Sequence, residues 1–544
     1  MKETEKTQQS IGQKSSGMTK RSFLQSVGMI GGTAAVMTAM HGWDMGFASE
    51  ADRPPEMSSD GKGKKVIILG AGLAGMVLAY EMGKKGYKTQ IIEATDYAGG
   101  RCVSARKGSV IQEIDSEKQV CNFRDGNYVN YGPWRIPAEH KSTIYYCRTL
   151  GVPLEVMINK SGKAYYYYEN QDGPFKGKPV RQANADTDFR GYTTELLAKV
   201  TDQGALDQII SQEDKEKLLE HLRRTGLIDS KELNYRANRV RGHSVYPGAA
   251  THFGELSEPY SLEEVLTISQ SSRTDTADHP AVMFQAVGGM DQIAQGLKRA
   301  LGKNQIRYNS EVTDVIQDDN GVEVTYKDTK SGKVRTEKAD YVISTAQLGV
   351  TQKININFSP EFAAALKTTR GNPACKMGVE MNRRFWEQDE MIYGGVTTTD
   401  IEGHRTMSYP SGNLFGHAHG DTGVILGYYP IGASAVPVSN LSVAERIEFA
   451  LSAGEKIHPG KYRKHFTGEA MSVAWHKMKY ALSGWESWSS RGLDRSFPIM
   501  QKGDNRIFIS GNIASPALSG WMAGAIEGAW STMEVIDKRV AQQA

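Results

Sequence analysis

Lys64-Lys65-Val66-Ile67-Ile68-Leu69-Gly70-Ala71-Gly72-Leu73-Ala74-Gly75 is the stretch that decides the fold. Its apolar run reads as a short buried strand, and the glycine-rich turn follows at once. Met76 to Met82 has helical character, and Lys88-Thr89-Gln90-Ile91-Ile92 reads as a second strand ending in Glu93. Each part has a physical task in holding a dinucleotide. Gly70 permits the tight turn, Gly72 lets the backbone approach a pyrophosphate, and Gly75 lets helix and strand pack closely. Ala74 lies in the first helical turn, whose free N–H groups and partial positive charge suit phosphate. Glu93 is placed to accept hydrogen bonds from ribose hydroxyls, which disfavours a 2′-phosphate. The turn alone does not choose between NAD and FAD.

Working outward, Glu93-Ala94 leads into Ala98-Gly99-Gly100-Arg101. A second glycine pair carrying an arginine can wrap the far side of a pyrophosphate, with the guanidinium countering its charge. This run resembles the flavin-containing amine oxidase family, most closely its bacterial L-amino acid oxidases. The resemblance continues along the chain. Ala286 to Asp291 is similar to the segment that opens a helix beside the flavin. Asn309 to Ile316 and Gly321 to Tyr326 alternate like paired strands, the first implying backbone contact with adenine near Val312. Ala339 to Ala346 resembles a returning strand of the nucleotide-binding domain. Arg506 to Asn512 resembles the strand and turn that meet the flavin ribityl and phosphate, here through Gly511 and Asn512. Relatives usually carry Glu where Asn512 stands.

The resemblance therefore implies an α/β fold with a discontinuous Rossmann-like FAD-binding domain, placed near 61–130, 282–350 and 500–544. Residues 131–281 and 351–499 form a substrate-binding domain with a mixed sheet. It includes a charged helical insertion at about 180–275.

Substrate choice turns on Gly132-Pro133-Trp134-Arg135-Ile136-Pro137. It resembles the segment of L-amino acid oxidases in which an arginine binds the substrate carboxylate, and a guanidinium fits a carboxylate with two parallel hydrogen bonds. Trp134 then borders the cofactor. In Val424 to Tyr428 the resemblance assigns the Tyr428 hydroxyl to the same carboxylate; Tyr429, its neighbour, faces the other way if the strand is regular. Lys376 corresponds to the lysine that holds a water at flavin N5. In Leu518 to Ile526 the Gly520 carbonyl would accept the substrate amine and Trp521 would wall the pocket. Trp475 and Trp485 fall where relatives place residues against the flavin and the side-chain pocket. His221 and His243, in the insertion, sit in no matching motif and read as surface histidines.

The implied activity is FAD-dependent oxidative deamination of L-amino acids with aromatic or other large side chains, using O2. The products are a 2-oxo acid, ammonia and hydrogen peroxide. Two alternatives stay open: a monoamine, polyamine or decarboxylating oxidation on the same fold, and a flavin-binding partner protein without turnover. The FAD is expected to be non-covalent, because no cysteine follows Cys375. A homodimer is expected from relatives.

Composition narrows the classes further. Lys and Arg number 65 against 62 Asp and Glu, which argues against a polybasic nucleic-acid surface. Four cysteines, with no Cys-x-x-Cys pair, exclude a disulfide scaffold and give no metal-site spacing. Thr19-Lys20-Arg21-Ser22-Phe23-Leu24, a Gly/Ala/Met-rich stretch and Gly46-Phe47-Ala48 read as an export signal over 1–48, twin-arginine-like with Lys20 in the first arginine's place. A periplasmic or secreted location is expected. Past that signal no apolar run is long enough to span a bilayer.

Overall fold

The computed structural model describes residues 51–61, 63–248, 252–268, 279–418 and 420–543; the export-signal reading over 1–48 falls outside them. Among the described residues, five parallel strands form the nucleotide-binding sheet: β1 (Lys65–Leu69), β2 (Lys88–Ile92), β3 (Ile306–Arg307), β4 (Tyr341–Ser344) and β5 (Ile507–Ile509), in the spatial order β3-β2-β1-β4-β5. A parallel sheet covered on both faces needs apolar residues in succession rather than alternation, and Val66, Ile67 and Ile68 are all fully buried. Each such side chain stabilises the fold by about 1.5–3 kcal/mol.

The two faces of β1 meet different partners. Val66 and Ile68 pack with α1 (Leu73–Lys84), α2 (Asp291–Ala300) and α3 (Met522–Gln543), through Met76, Ile293 and Ile526 among others. Ile67 and Leu69 pack with Val315, Val324 and Tyr326 of an antiparallel meander, Ser310–Gln317, Val322–Asp328 and Val334–Ala339. The meander carries a bulge between Val312 and Asp314.

A second, mixed sheet runs in the order Phe466–Ala474, Cys375–Met381, Gly423–Tyr428, Thr406–Ser408, Val396–Thr399, Tyr165–Tyr167 and Val180–Arg181. One face, with Met377, Val379, Ile425 and Tyr428, packs on the helix Val443–Ile457. Ser442 caps that helix reciprocally with Glu445. The other face presents Val424, Leu426, Met471 and Val473 to the segment around Phe123, Val129 and Tyr131. An antiparallel ribbon, Leu154–Ile158 with Val282–Ala286, lies beside it, and Ile136 bridges to Phe284.

The helical insertion contains Gln182–Asp202 and Gln212–Arg224. Asp188 anchors it from a fully buried position, accepting from the Tyr235 hydroxyl at 2.8 Å, the Tyr260 N–H at 2.8 Å and the Arg241 guanidinium. No helix among the described residues is long and apolar enough to cross a membrane.

Candidate active site

The site begins where two glycine turns cross. Gly70 has φ +101°, a region open to glycine at little cost. A Cβ on Gly75 would lie 2.0 Å from the Gly70 carbonyl oxygen, so only glycine lets α1 pack this close to β1. Gly72 differs: a Cβ there meets no protein atom within 4 Å. Its backbone therefore faces open space at the start of α1, where Leu73, Ala74 and Gly75 offer N–H groups outside the helical ladder. Gly99 donates to the Ala71 carbonyl at 2.8 Å, and Gly100 (φ +57°) lies so close that its Cβ would sit 3.2 Å from the Gly72 Cα. Gly511 (φ +97°) faces the Ala74 methyl, and the buried Asn512 beside it reaches the Ser519 hydroxyl at 3.4 Å. This open cradle of small residues fits a dinucleotide pyrophosphate.

Glu93 is held at the end of β2. Its carboxylate accepts from the Ala71 N–H at 2.7 Å, and from the Thr95 N–H at 2.8 Å and hydroxyl at 2.7 Å. Val312 lies on the neighbouring strand Ser310–Gln317, whose first residue donates its N–H to the Glu93 carbonyl at 2.8 Å. Arg101 donates to the Gly484 carbonyl at 2.6 Å. Burial pulls its guanidinium below the usual range, while the Glu486 carboxylate opposes this. Glu486 is itself buried and accepts from the Leu348 N–H at 2.5 Å.

A second group of side chains lies where the mixed sheet meets Gly132 to Ile136. Lys376, 2% exposed, donates to the Gly132 carbonyl at 2.5 Å and stands 4.3 Å from the Tyr429 ring centroid and 6.0 Å from that of Trp134. Burial, and then the positive charge of Arg135, bring its amine down to about 7. Arg135 stacks over Trp134 at 4.8 Å and donates to Asn159 Oδ1 at 2.5 Å. Trp134 meets Tyr429 edge-on at 6.2 Å. Trp475 is fixed by its indole N–H on the Tyr131 carbonyl at 2.9 Å. Gly520 (φ +86°) rides on Trp485, whose ring lies 3.4 Å from the position of a Cβ. Trp521 meets His140 at 4.7 Å and His279 at 5.4 Å, both edge-on.

One sequence assignment needs correction. Tyr428 does not join this group: it is fully buried on the opposite face, where its hydroxyl meets Ser472 Oγ at 3.1 Å and its ring packs on Phe449. The cause is a bulge. Met377 pairs with Tyr428 but Gly378 pairs with Leu426, so Gly427 is the extra residue. An extra residue reverses the side-chain alternation beyond it. Leu426 and Tyr429 thus share the site face, while Ile425 and Tyr428 share the core face. Glycine beside paired tyrosines is the signal that could have found it. Asn159, His140 and His279 were missed too. No motif marks them; they arrive through the ribbon, through the turn after Pro137, and through the return from the insertion.

Comparisons with known proteins bear on the family and the fold. L-amino-acid oxidases from Vipera ammodytes ammodytes and Bothrops jararacussu are each 26% identical to this chain. Both matches cover 88% of it, with 94% and 91% of the relatives' lengths. Among solved structures, cyclohexylamine oxidase from Brevibacterium oxydans IH-35A superimposes with a TM-score of 0.57 at 16% identity, over 88% of this chain and 99% of that one. A putrescine oxidase mutant gives 0.56, also at 16% and over the same shares. At these identities the structures speak for the fold alone. A model of the flavin-containing amine oxidoreductases matches residues 73–536, most of the chain from the glycine turn to the last helix, and the protein belongs to that family.

Proposed function

We propose that the protein oxidises the Cα–N bond of L-amino acids, with FAD as electron acceptor and O2 as final oxidant. The products are a 2-oxo acid, ammonia and hydrogen peroxide. The observation that carries this reading is the Arg135 guanidinium, stacked on Trp134 and fixed by Asn159 beside the lysine and the aromatic walls. A planar donor fork beside the reacting centre suits a carboxylate, which a simple amine lacks.

FAD supplies the hydride acceptor when bound. Gly72, Gly75, Gly100, Arg101 and Asn512 would hold its phosphates, Glu93 its ribose, and Val312 the region of its adenine. Trp134, Trp475 and Trp521 would border the ring. The chain's own contribution is positioning. Arg135 and Tyr429 grip the carboxylate, the Gly520 carbonyl takes the amine, and Trp485 and Trp521 wall the side chain. Fixing two groups of the same carbon leaves one hydrogen aimed at the acceptor, and orientation of this kind contributes several kcal/mol to a barrier reduction, roughly 7–11 in favourable systems. The amine must be neutral to release hydride, so the rate should rise with pH through an amine pKa. The aromatic walls favour large or flat side chains.

Three finer statements belong to the same proposal. The flavin is held without a covalent bond, because no cysteine follows Cys375. The enzyme is exported, on the strength of the basic, apolar and small-residue pattern before residue 49. It works as a homodimer, as its resemblance implies. The decisive experiment is a peroxide screen of L- and D-amino acids against their decarboxylated amines, repeated with Arg135→Ala. L-amino acids should react and the variant should lose at least a hundredfold in kcat/KM, about 2.7 kcal/mol. Equal turnover of the amines, or an unaffected variant, would remove the assignment.

A further inference from the structure

We propose that His404 is a positioning residue: it fixes the inserted Gly427, and so decides that Tyr429 rather than Tyr428 reaches the substrate carboxylate. This rests on the oxidase reading above, in which Tyr429 shares that carboxylate with Arg135. His404 is fully buried, in the turn between Val396–Thr399 and Thr406–Ser408 of the mixed sheet. The next strand of that sheet is Gly423–Tyr428, where Ser408 pairs with Leu426. Past that pair the turn takes over from the ladder. The His404 carbonyl accepts the N–H of Tyr429, two residues beyond the insertion, at 3.2 Å. The same carbonyl accepts the Thr406 N–H at 2.8 Å across Arg405, whose φ is +63°. A three-residue turn with positive φ at its centre is the rare, strained hand of its class. Such a backbone persists only where its surroundings hold it.

The His404 side chain supplies that hold. Its Nδ1 meets the Thr399 hydroxyl at 3.0 Å, which ties the turn to the strand before it. Its ring stands edge-on to Phe449, with centroids 6.3 Å apart. Phe449 is also the ring on which Tyr428 packs, at 5.8 Å. Burial pulls the imidazole down to about 4, against the Gly427 backbone, which favours the charged form. The ring is therefore neutral near pH 7 and acts by shape and hydrogen bonding. Gly427 itself has no room for a side chain: a Cβ there would lie 2.9 Å from Val379 Cγ2 and 3.3 Å from the Tyr462 hydroxyl. One residue thus bears on the insertion, on the main chain of Tyr429 and on the packing of Tyr428. A strand that slips by one residue turns its side chains to the opposite face. Here a slip would withdraw the Tyr429 hydroxyl from the Lys376 side of the sheet.

The test combines variants in the holoenzyme. His404→Leu keeps apolar bulk against Phe449 and removes the bond to Thr399. Thr399→Val removes the same bond with the histidine intact, and His404→Asn offers an amide where Nδ1 stands. KM for an L-amino acid is read from peroxide release, and the limiting rate of anaerobic flavin bleaching from stopped flow. His404→Leu should raise KM about tenfold and leave the limiting bleaching rate within about twofold. Thr399→Val should raise KM about threefold, and His404→Asn should recover most of the loss. The deciding readout is the combination with Tyr429→Phe. A residue that acts through the Tyr429 hydroxyl adds nothing once that hydroxyl is gone, so the double variant should keep the KM of Tyr429→Phe alone. KM defects that multiply overturn the proposal, and so does a lowered melting temperature with unchanged KM. If His404→Leu does not fold, Thr399→Val and its combination with Tyr429→Phe decide by the same criteria. An unchanged KM in Tyr429→Phe would remove the carboxylate grip of Tyr429 and this proposal with it. Absence of any bleaching in the unmodified enzyme would mark the failure of the oxidase reading instead.

Discussion

The bulge at Gly427 yields a sharp prediction, because it assigns two adjacent tyrosines opposite roles. Tyr429 lies beside Lys376 on the site face; burial pushes its hydroxyl up and the nearby Arg135 charge opposes that. Tyr428 is sealed on the core face against Ser472 and Phe449. Tyr429→Phe keeps the ring and removes one hydrogen bond to an anion, worth about 1.5–3 kcal/mol. That is roughly a 10- to 150-fold loss in kcat/KM. Much of it should appear in KM, since the carboxylate is gripped before and during reaction alike. Tyr428→Phe removes a neutral buried hydrogen bond instead. Ser472 keeps the Arg446 guanidinium as donor at 3.2 Å, so the loss is about 1 kcal/mol of stability, with kcat/KM changed less than about threefold, under 0.7 kcal/mol. Peroxide-coupled kinetics and denaturant midpoints on both variants decide the matter. If Tyr428→Phe carried the KM defect and Tyr429→Phe only the stability defect, the bulge argument would be refuted.

Other outcomes follow from the same geometry. Gly72→Ala should fold normally, since its methyl meets open space, yet bind FAD at least tenfold more weakly, about 1.4 kcal/mol; Gly75→Ala should lose stability, because its methyl meets the Gly70 carbonyl. Flavin fluorescence and apoprotein melting distinguish the two. Lys376 has its folded pKa lowered to about 7 from 10.5. The unfolded chain therefore binds the extra proton between those values, and the lysine's contribution to stability rises with pH across that window. Lys376→Met should abolish that rise in flavin-free protein; an unchanged pH dependence would show that the lysine is not the titrating group. Acid precipitation should release all the flavin into the supernatant, and colour left in the pellet would contradict non-covalent binding.

The nucleotide-binding end was readable in the chain because its constraints are local. A buried strand, a turn that needs positive φ at Gly70, and a close packing at Gly75 all fall within a dozen residues. The strands before Glu93, around Val312, before Thr345 and before Gly511 were likewise visible as apolar or alternating runs. Arg135, Lys376 and the tryptophans came from resemblance, and the structure brings Arg135, Lys376 and Trp134 together. What stayed hidden depends on non-local geometry. Alternation alone would place Tyr428 with Leu426, and only the pairing of Met377 and Gly378 with their partners reveals the inserted residue. Asn159 reaches Arg135 from the ribbon, whose second strand lies more than a hundred residues further on. Nothing near Asn159 in the chain announces that meeting.

The order of the nucleotide-binding strands has a consequence for biosynthesis. One of its two edge strands, β5, begins at Ile507, and α3, which helps α1 and α2 cover one face, ends at Gln543. While the ribosome still holds Ile507 to Gln543, the phosphate cradle lacks Gly511 and Asn512, and Val66 and Ile68 lack the part of their cover that α3 supplies. Flavin therefore meets a complete cradle only after Ile507 to Gln543 have been made. Removal of α3 should therefore yield colourless, aggregating protein rather than a weaker enzyme.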